Sequence, residues 1–144
     1  MKFYAVIDTN VVVSSILKRN SKPGFIIDLV NSDLIIPLLN KEILEEYTNV
    51  LTRNKFGFDD VTIQQTIDVL KKNAIYLEKE QTLEDFLDKD DIVFYEIVLS
   101  ARSTMDAYLV TGNMKHYPIR NYIVTPREMI EIIEKETGLH FEDA

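Results

Sequence analysis

Tyr4-Ala5-Val6-Ile7-Asp8-Thr9-Asn10-Val11-Val12-Val13-Ser14-Ser15 is the stretch that decides the fold. An apolar run ends in an acid, a hydroxyl and an amide, and apolar residues then resume. Such a run, close to the amino terminus, reads as a strand buried on both faces. Asp8 stands where the strand stops, and in an open parallel sheet ligands bind at the carboxyl ends of the strands. Two readings of Asp8 follow. It is the first carboxylate of a metal site, or Asp8 or Thr9 caps the next helix.

The 144 residues suit one domain with a sizeable core, and 46% hydrophobic with 28% charged residues is an ordinary globular balance. The absence of cysteine excludes disulfides, thiolate metal sites and cysteine nucleophiles. No apolar run approaches the roughly 18 residues of a membrane span, and the first strand begins too early to leave room for a signal peptide. A cytoplasmic location with no membrane partner is expected. The formal net charge of -8 argues against coating nucleic acid by bulk electrostatics. It leaves a nuclease open, because carboxylates gathered around a cation add to the negative count.

Beyond Asp8, residues 10–19 read as a helix. Ser21-Lys22-Pro23-Gly24 is a turn or a helix start with an early proline. Leu34-Ile35-Ile36-Pro37 reads as a second strand ended by its proline. Asn40 is a good N-cap for a helix over 41–52, with Ile43, Leu44, Tyr47, Val50 and Leu51 as its apolar stripe. At about 100° per residue, Glu46 falls at the margin of that stripe and Glu45 on the far side. Thr62-Ile63-Gln64-Gln65 has the form of a capping box opening the next helix. Residues 74–77 suggest a third strand, and 78–91 are mostly an acidic loop. Phe94, Ile97, Val98 and Ala101 form a helical stripe that Asp91 extends toward the amino-terminal end. Asp88, Asp90 and Asp91 exceed the one acid that capping needs.

Residues 106–110 read as the fourth strand, followed by Thr111-Gly112-Asn113 as a glycine turn. Residues 121–124 make the fifth. Thr125-Pro126-Arg127-Glu128 combines N-cap, early proline and N3 glutamate before a last helix that stops near Gly138. The expectation is a single α/β domain over residues 1–137 on a central, mainly parallel five-stranded sheet, with 138–144 as a C-terminal tail, loose from His140. If strands one and four are neighbours, Asp8 and Asn113 flank the crevice at the switch point. Two carboxylates about 4 Å apart repel by on the order of 4 kcal/mol at an effective dielectric of 20. A divalent cation converts that repulsion into affinity, and oxygen-only ligands suit Mg2+ or Mn2+.

Ile7-Asp8-Thr9-Asn10-Val11, Glu46-Tyr47, Asp88-x-x-Asp91-x-x-Phe94 and Tyr108-Leu109-Val110-Thr111-Gly112-Asn113 together resemble the PIN-domain signature, in its order and spacing. The resemblance is closest to the PIN-domain toxins of prokaryotic toxin–antitoxin systems. It implies an α/β/α domain and an endoribonuclease that depends on Mg2+ or Mn2+, hydrolysing phosphodiesters with a metal-activated water. It assigns Asp8, Glu46 and Asp91 to the metal and to catalysis, with Thr9, Asn10, Asp88 and Thr111 in support. It further implies an RNA substrate, an antitoxin protein as partner and a homodimer.

Asn113 departs from the family pattern, which has a fourth acid there. An asparagine oxygen can still orient a metal-held water. His116, close to Asn113 in sequence, reads first as a surface loop histidine and second as a phosphate contact. Lys18, Arg19, Lys22, Arg53, Lys55, Lys115 and Arg120 are candidates for an RNA path. Two other readings stand beside the nuclease. One is a PIN-like module that binds RNA or a protein without cutting. The other is a phospho-receiver or phosphatase-like domain using Asp8 as nucleophile. A receiver wants an acid pair at Asp8, and an Asp-x-Asp phosphatase wants an acid where Asn10 stands.

Overall fold

A computed structural model of the chain describes residues 1–84 and 89–141. Five strands, β1 (Phe3–Ile7), β2 (Ile35–Leu39), β3 (Ile75–Tyr76), β4 (Ala107–Val110) and β5 (Ile123–Val124), form one sheet in the order β3-β2-β1-β4-β5. Every pairing is parallel. The chain builds outward from β1 to β2 and β3, then returns to place β4 and β5 on the other side. The switch point therefore lies between β1 and β4, as the sequence suggested.

The apolar runs explain the arrangement. Ala5, Val6 and Ile7 of β1 and all five residues of β2 are buried, as strands covered on both faces must be. Helices α1 (Thr9–Leu17), α2 (Lys22–Asn31), α3 (Lys41–Leu51), α4 (Asp60–Lys71), α5 (Ile92–Arg102) and α6 (Pro126–Thr137) supply the cover. The α5 stripe of Phe94, Ile97, Val98 and Ala101 is buried, and α5 packs against β1, β2 and β4. Among the described residues no helix is long and apolar enough to cross a membrane.

Four local signals act as read. Asn40 Oδ1 accepts from Ile43 N–H at 2.9 Å and starts α3. Ser21 caps α2, with Pro23 in its first turn. Thr125 and Glu128 form a complete reciprocal capping box at α6. Gly138, at φ 75°, closes α6 in the left-handed conformation that side chains disfavour.

Three boundaries differ from expectation. Strand β2 does not end at Pro37 but runs through it to Leu39, with Pro37 paired beside Ala5. Leu39 O accepts from Leu77 N–H on the β3 side, and Pro37, two residues earlier, faces the same way. Strand β3 pairs only with Leu38 and Leu39, so no ladder bond is lost at the proline. Helix α4 begins at Asp60, capped by Asp59, whose carboxylate accepts from Thr62 N–H at 2.7 Å. Thr62 is thus the capped residue and not the cap. The expected loose tail is tied down as far as Phe141, whose ring meets Phe25 edge-on at 5.0 Å and whose N–H donates to Glu134.

Candidate functional site

Asp8 leaves β1 in extended conformation (φ -65°, ψ 147°) at the N-cap position of α1, yet its side chain makes no capping hydrogen bond. The capping reading fails for this residue. Its Oδ2 instead accepts from three side chains: Thr111 Oγ1 at 2.7 Å, Tyr117 Oη at 3.0 Å and Asn10 Nδ2 at 3.2 Å. Asp8 is 4% exposed. Burial pushes its carboxyl above the usual range, while the hydrogen bonds from Thr111, Tyr117 and the Thr9 backbone, and the field of His116, pull the other way.

Backbone bonds fix this corner. Asp8 N–H donates to Val110 O and Thr111 N–H to Val124 O, each at 2.9 Å, carrying the ladder across β1, β4 and β5 to the crevice. The Tyr47 hydroxyl, buried on α3, donates to Ile7 O at 2.5 Å and pins the last residue of β1. Burial raises both the Tyr47 and the Tyr117 phenols far above their ordinary value, with the Asp8 charge acting in the same direction, so both remain donors.

Thr111 is fully buried and central. Its Oγ1 donates to Asp8 and accepts from Asn113 N–H at 3.0 Å and Asn10 Nδ2 at 3.4 Å. Asn10 Oδ1 accepts from Gly112 N–H at 2.9 Å. Asn10 therefore laces the start of α1 to the turn after β4, a connection across about a hundred residues of chain that demands a short two-headed side chain.

Asp91 ends a single 3-10 turn, Lys89–Asp91, directly before α5. It is buried and makes no capping bond. Its Oδ2 lies 3.0 Å from His116 Nδ1. The reading of His116 as a plain surface loop residue is thereby corrected. It sits on a short 3-10 turn, Met114–His116, whose geometry carries the ring across the crevice to the start of α5.

Asp8, Thr9, Asn10, Glu46, Asp90, Asp91, Asn113 and His116 all line one cleft of about 380 Å3. Glu46 is half-buried on α3, as its place at the stripe margin predicted, and Glu45 is exposed. Asp88 lies outside the described residues. Arg53 and Lys55 line the same cleft. Of the other expected basic residues, Arg19 pairs with Asp28 and Arg120 with Glu84. Lys18, Lys22 and Lys115 do not line it.

The acids share the cleft without closing on a point: among the described residues no three of His, Cys, Asp or Glu form a group able to hold a metal ion. The donor set still suits a cation held in another way. Mg2+ is commonly bound by one or two carboxylates and several waters. The cleft offers oxygen donors, and Thr9 is one of its lining residues; its Oγ1 is buried and has no hydrogen-bond partner among the described residues. An orphaned buried hydroxyl calls for a water or ligand.

Sequence reasoning missed Tyr117 and the hydroxyl of Tyr47. Tyr47 reads only as part of an apolar stripe and a motif, and Tyr117 carries no reading; the faint signal is a phenol, which needs a partner once buried.

Fold and cleft together define an α/β protein with an acidic oxygen-donor site at the switch point of a parallel sheet. The PIN domain family profile matches residues 4–115, and the chain belongs to that family. PIN domains are generally nucleases and typically use divalent metal ions. A relative described as uncharacterized protein MJ1680, from Methanocaldococcus jannaschii, is 26% identical, with 94% of each chain covered. No solved structure gives a significant match.

Proposed function

We propose that the protein is an endoribonuclease that requires Mg2+ or Mn2+, acting as the toxin of a toxin–antitoxin pair. The observation that carries the nuclease reading is the gathering of Asp8, Glu46, Asp91 and Asn113 in one cleft, with Asp8 and Asp91 both turned away from the caps they were positioned to make. The toxin role rests on the resemblance of the four motifs to that branch of the family. An antitoxin partner and a homodimer belong to the same proposal.

Asp8 and Asp91 would hold the cation, with Glu46 acting through water. A bound divalent cation supplies an activated water and neutralises charge on the phosphate oxygens. The chain's own residues do the rest. Thr111, Tyr117 and Asn10 keep Oδ2 of Asp8 satisfied and its orientation fixed. Arg53 and Lys55 offer positive charge to a polyanion at the cleft. Asn113, in place of an acid, orients a water through its amide.

Incubating the purified protein with a structured RNA tests this. Cleavage with Mg2+ or Mn2+, lost with chelator and in Asp8→Asn, is expected. RNA left intact under every metal condition contradicts the reading. Asn113 favours a second reading, a module that binds RNA or protein without cutting. Retained binding of the same RNA in the absence of any cleavage would select it.

A further inference from the structure

The residues after Asn113 do more than turn the chain. Met114–His116 is closed by its own backbone bonds, His116 N–H to Asn113 O at 3.0 Å and Tyr117 N–H to Met114 O at 3.2 Å. Asn113 N–H in turn donates to Thr111 Oγ1, which donates to Asp8. Two consecutive residues leave this anchored turn toward two different acids of the crevice. Tyr117 reaches Asp8 Oδ2 on the β1 side, and His116 reaches Asp91 Oδ2 at the start of α5. Asn113 stands where the family pattern has an acid, so this turn presents an imidazole and no carboxylate of its own to the acids of the cleft.

We propose that His116 is a positioning residue for Asp91: its Nδ1–H, held by the Met114–His116 turn, engages Oδ2 and turns the other carboxylate oxygen toward the cation. The proposal rests on the reading of the cleft as a cation site. A carboxylate that holds a cation is ionised and only accepts, so in that state Nδ1 carries the hydrogen in this contact. A carboxylate joined to Cβ by a single bond rotates unless one oxygen is tethered, and partners of ligating groups set their orientation and affinity. The tether works without adding negative charge at the turn after β4, in a cleft already lined by Asp8, Glu46, Asp90 and Asp91. His116 contacts Asp91 and is not itself assigned to the cation.

Mn2+ binding to the full chain, followed by the EPR signal of free Mn2+, tests this, with thermal melts to establish folding. His116→Ala is expected to weaken Mn2+ binding by about 10–100-fold, the usual cost of losing such a partner. His116→Asn, whose amide N–H falls near the place of Nδ1, restores much of the loss. His116→Gln, whose amide falls near Nε2, does not. The Asn and Gln variants decide the matter if the Ala variant fails to fold. Equal affinity for the wild type, Ala and Gln proteins overturns the proposal alone. A wild-type protein that binds no Mn2+ overturns both the cation site and the proposal built on it.

Discussion

Tyr117 donates its hydroxyl hydrogen to Asp8 Oδ2 at 3.0 Å, joining the turn after β4 to the acid that ends β1. Both residues are buried, 6% and 4% exposed, so the bond is shielded from water. Tyr117→Phe keeps the ring and removes only the donor. The expected loss is about 1–3 kcal/mol of stability, spanning the net worth of an ordinary hydrogen bond and of one to a charged group, because Thr111 and Asn10 still donate to Oδ2. Urea unfolding of the two proteins measures it.

Thr111→Val replaces the hydroxyl by a methyl group of similar size in a fully buried place. It removes the shortest donor to Asp8 and, in the same stroke, the acceptor for Asn113 N–H. The cost is expected to be at least that of Tyr117→Phe, again about 1–3 kcal/mol per group left unpaired. Cleavage activity is expected to fall more steeply than stability, because both walls of the crevice lose their common anchor. Unfolding and cleavage assays on one preparation separate the two effects.

Asp8 destabilises the fold it serves. Its pKa is raised in the folded protein, chiefly by burial. Above the ordinary carboxylate value the unfolded chain has released this proton while the folded chain still binds it. Stability therefore falls as pH rises from the unfolded pKa through the higher folded one, and stays lowered beyond. Asp8→Asn is expected to remove this fall and to be the more stable protein at neutral pH without metal, while inactive. Unfolding free energies of both proteins across the acid range check the sign.

A cation that binds only the folded state reverses that cost. At about a hundredfold above its dissociation constant it adds about 2.7 kcal/mol. Mn2+ is expected to raise the melting temperature of the wild-type protein and to leave Asp8→Asn nearly unmoved. A melt with and without Mn2+ suffices, and equal shifts in both proteins would place the metal elsewhere.

The local features were legible because local physics makes them. The apolar run of β1 ending in Asp8, the Asn40 cap, the stripe that placed Glu46 at a margin and the glycine turn before Asn113 are each complete within a few residues. Pro37 misled because its effect depends on whether β3 pairs beside it, which the strand itself does not encode. Asp59 was passed over because the Thr62–Gln65 pattern imitates a cap three residues downstream. Tyr117 and His116 escaped because their partners, Asp8 and Asp91, lie 109 and 25 residues away in the chain. Periodicity reports the face a residue occupies; it does not report which distant acid its hydroxyl or imidazole meets.

On the proposed function, the crevice between β1 and β4 takes a divalent cation beside Asp8 and Asp91. Crystals soaked in Mn2+ and measured for anomalous scattering test it most directly. The expected result is a peak within reach of the Asp8 and Asp91 carboxylates. A crevice without a peak at saturating Mn2+, or a peak confined to other acids on the surface, would contradict it.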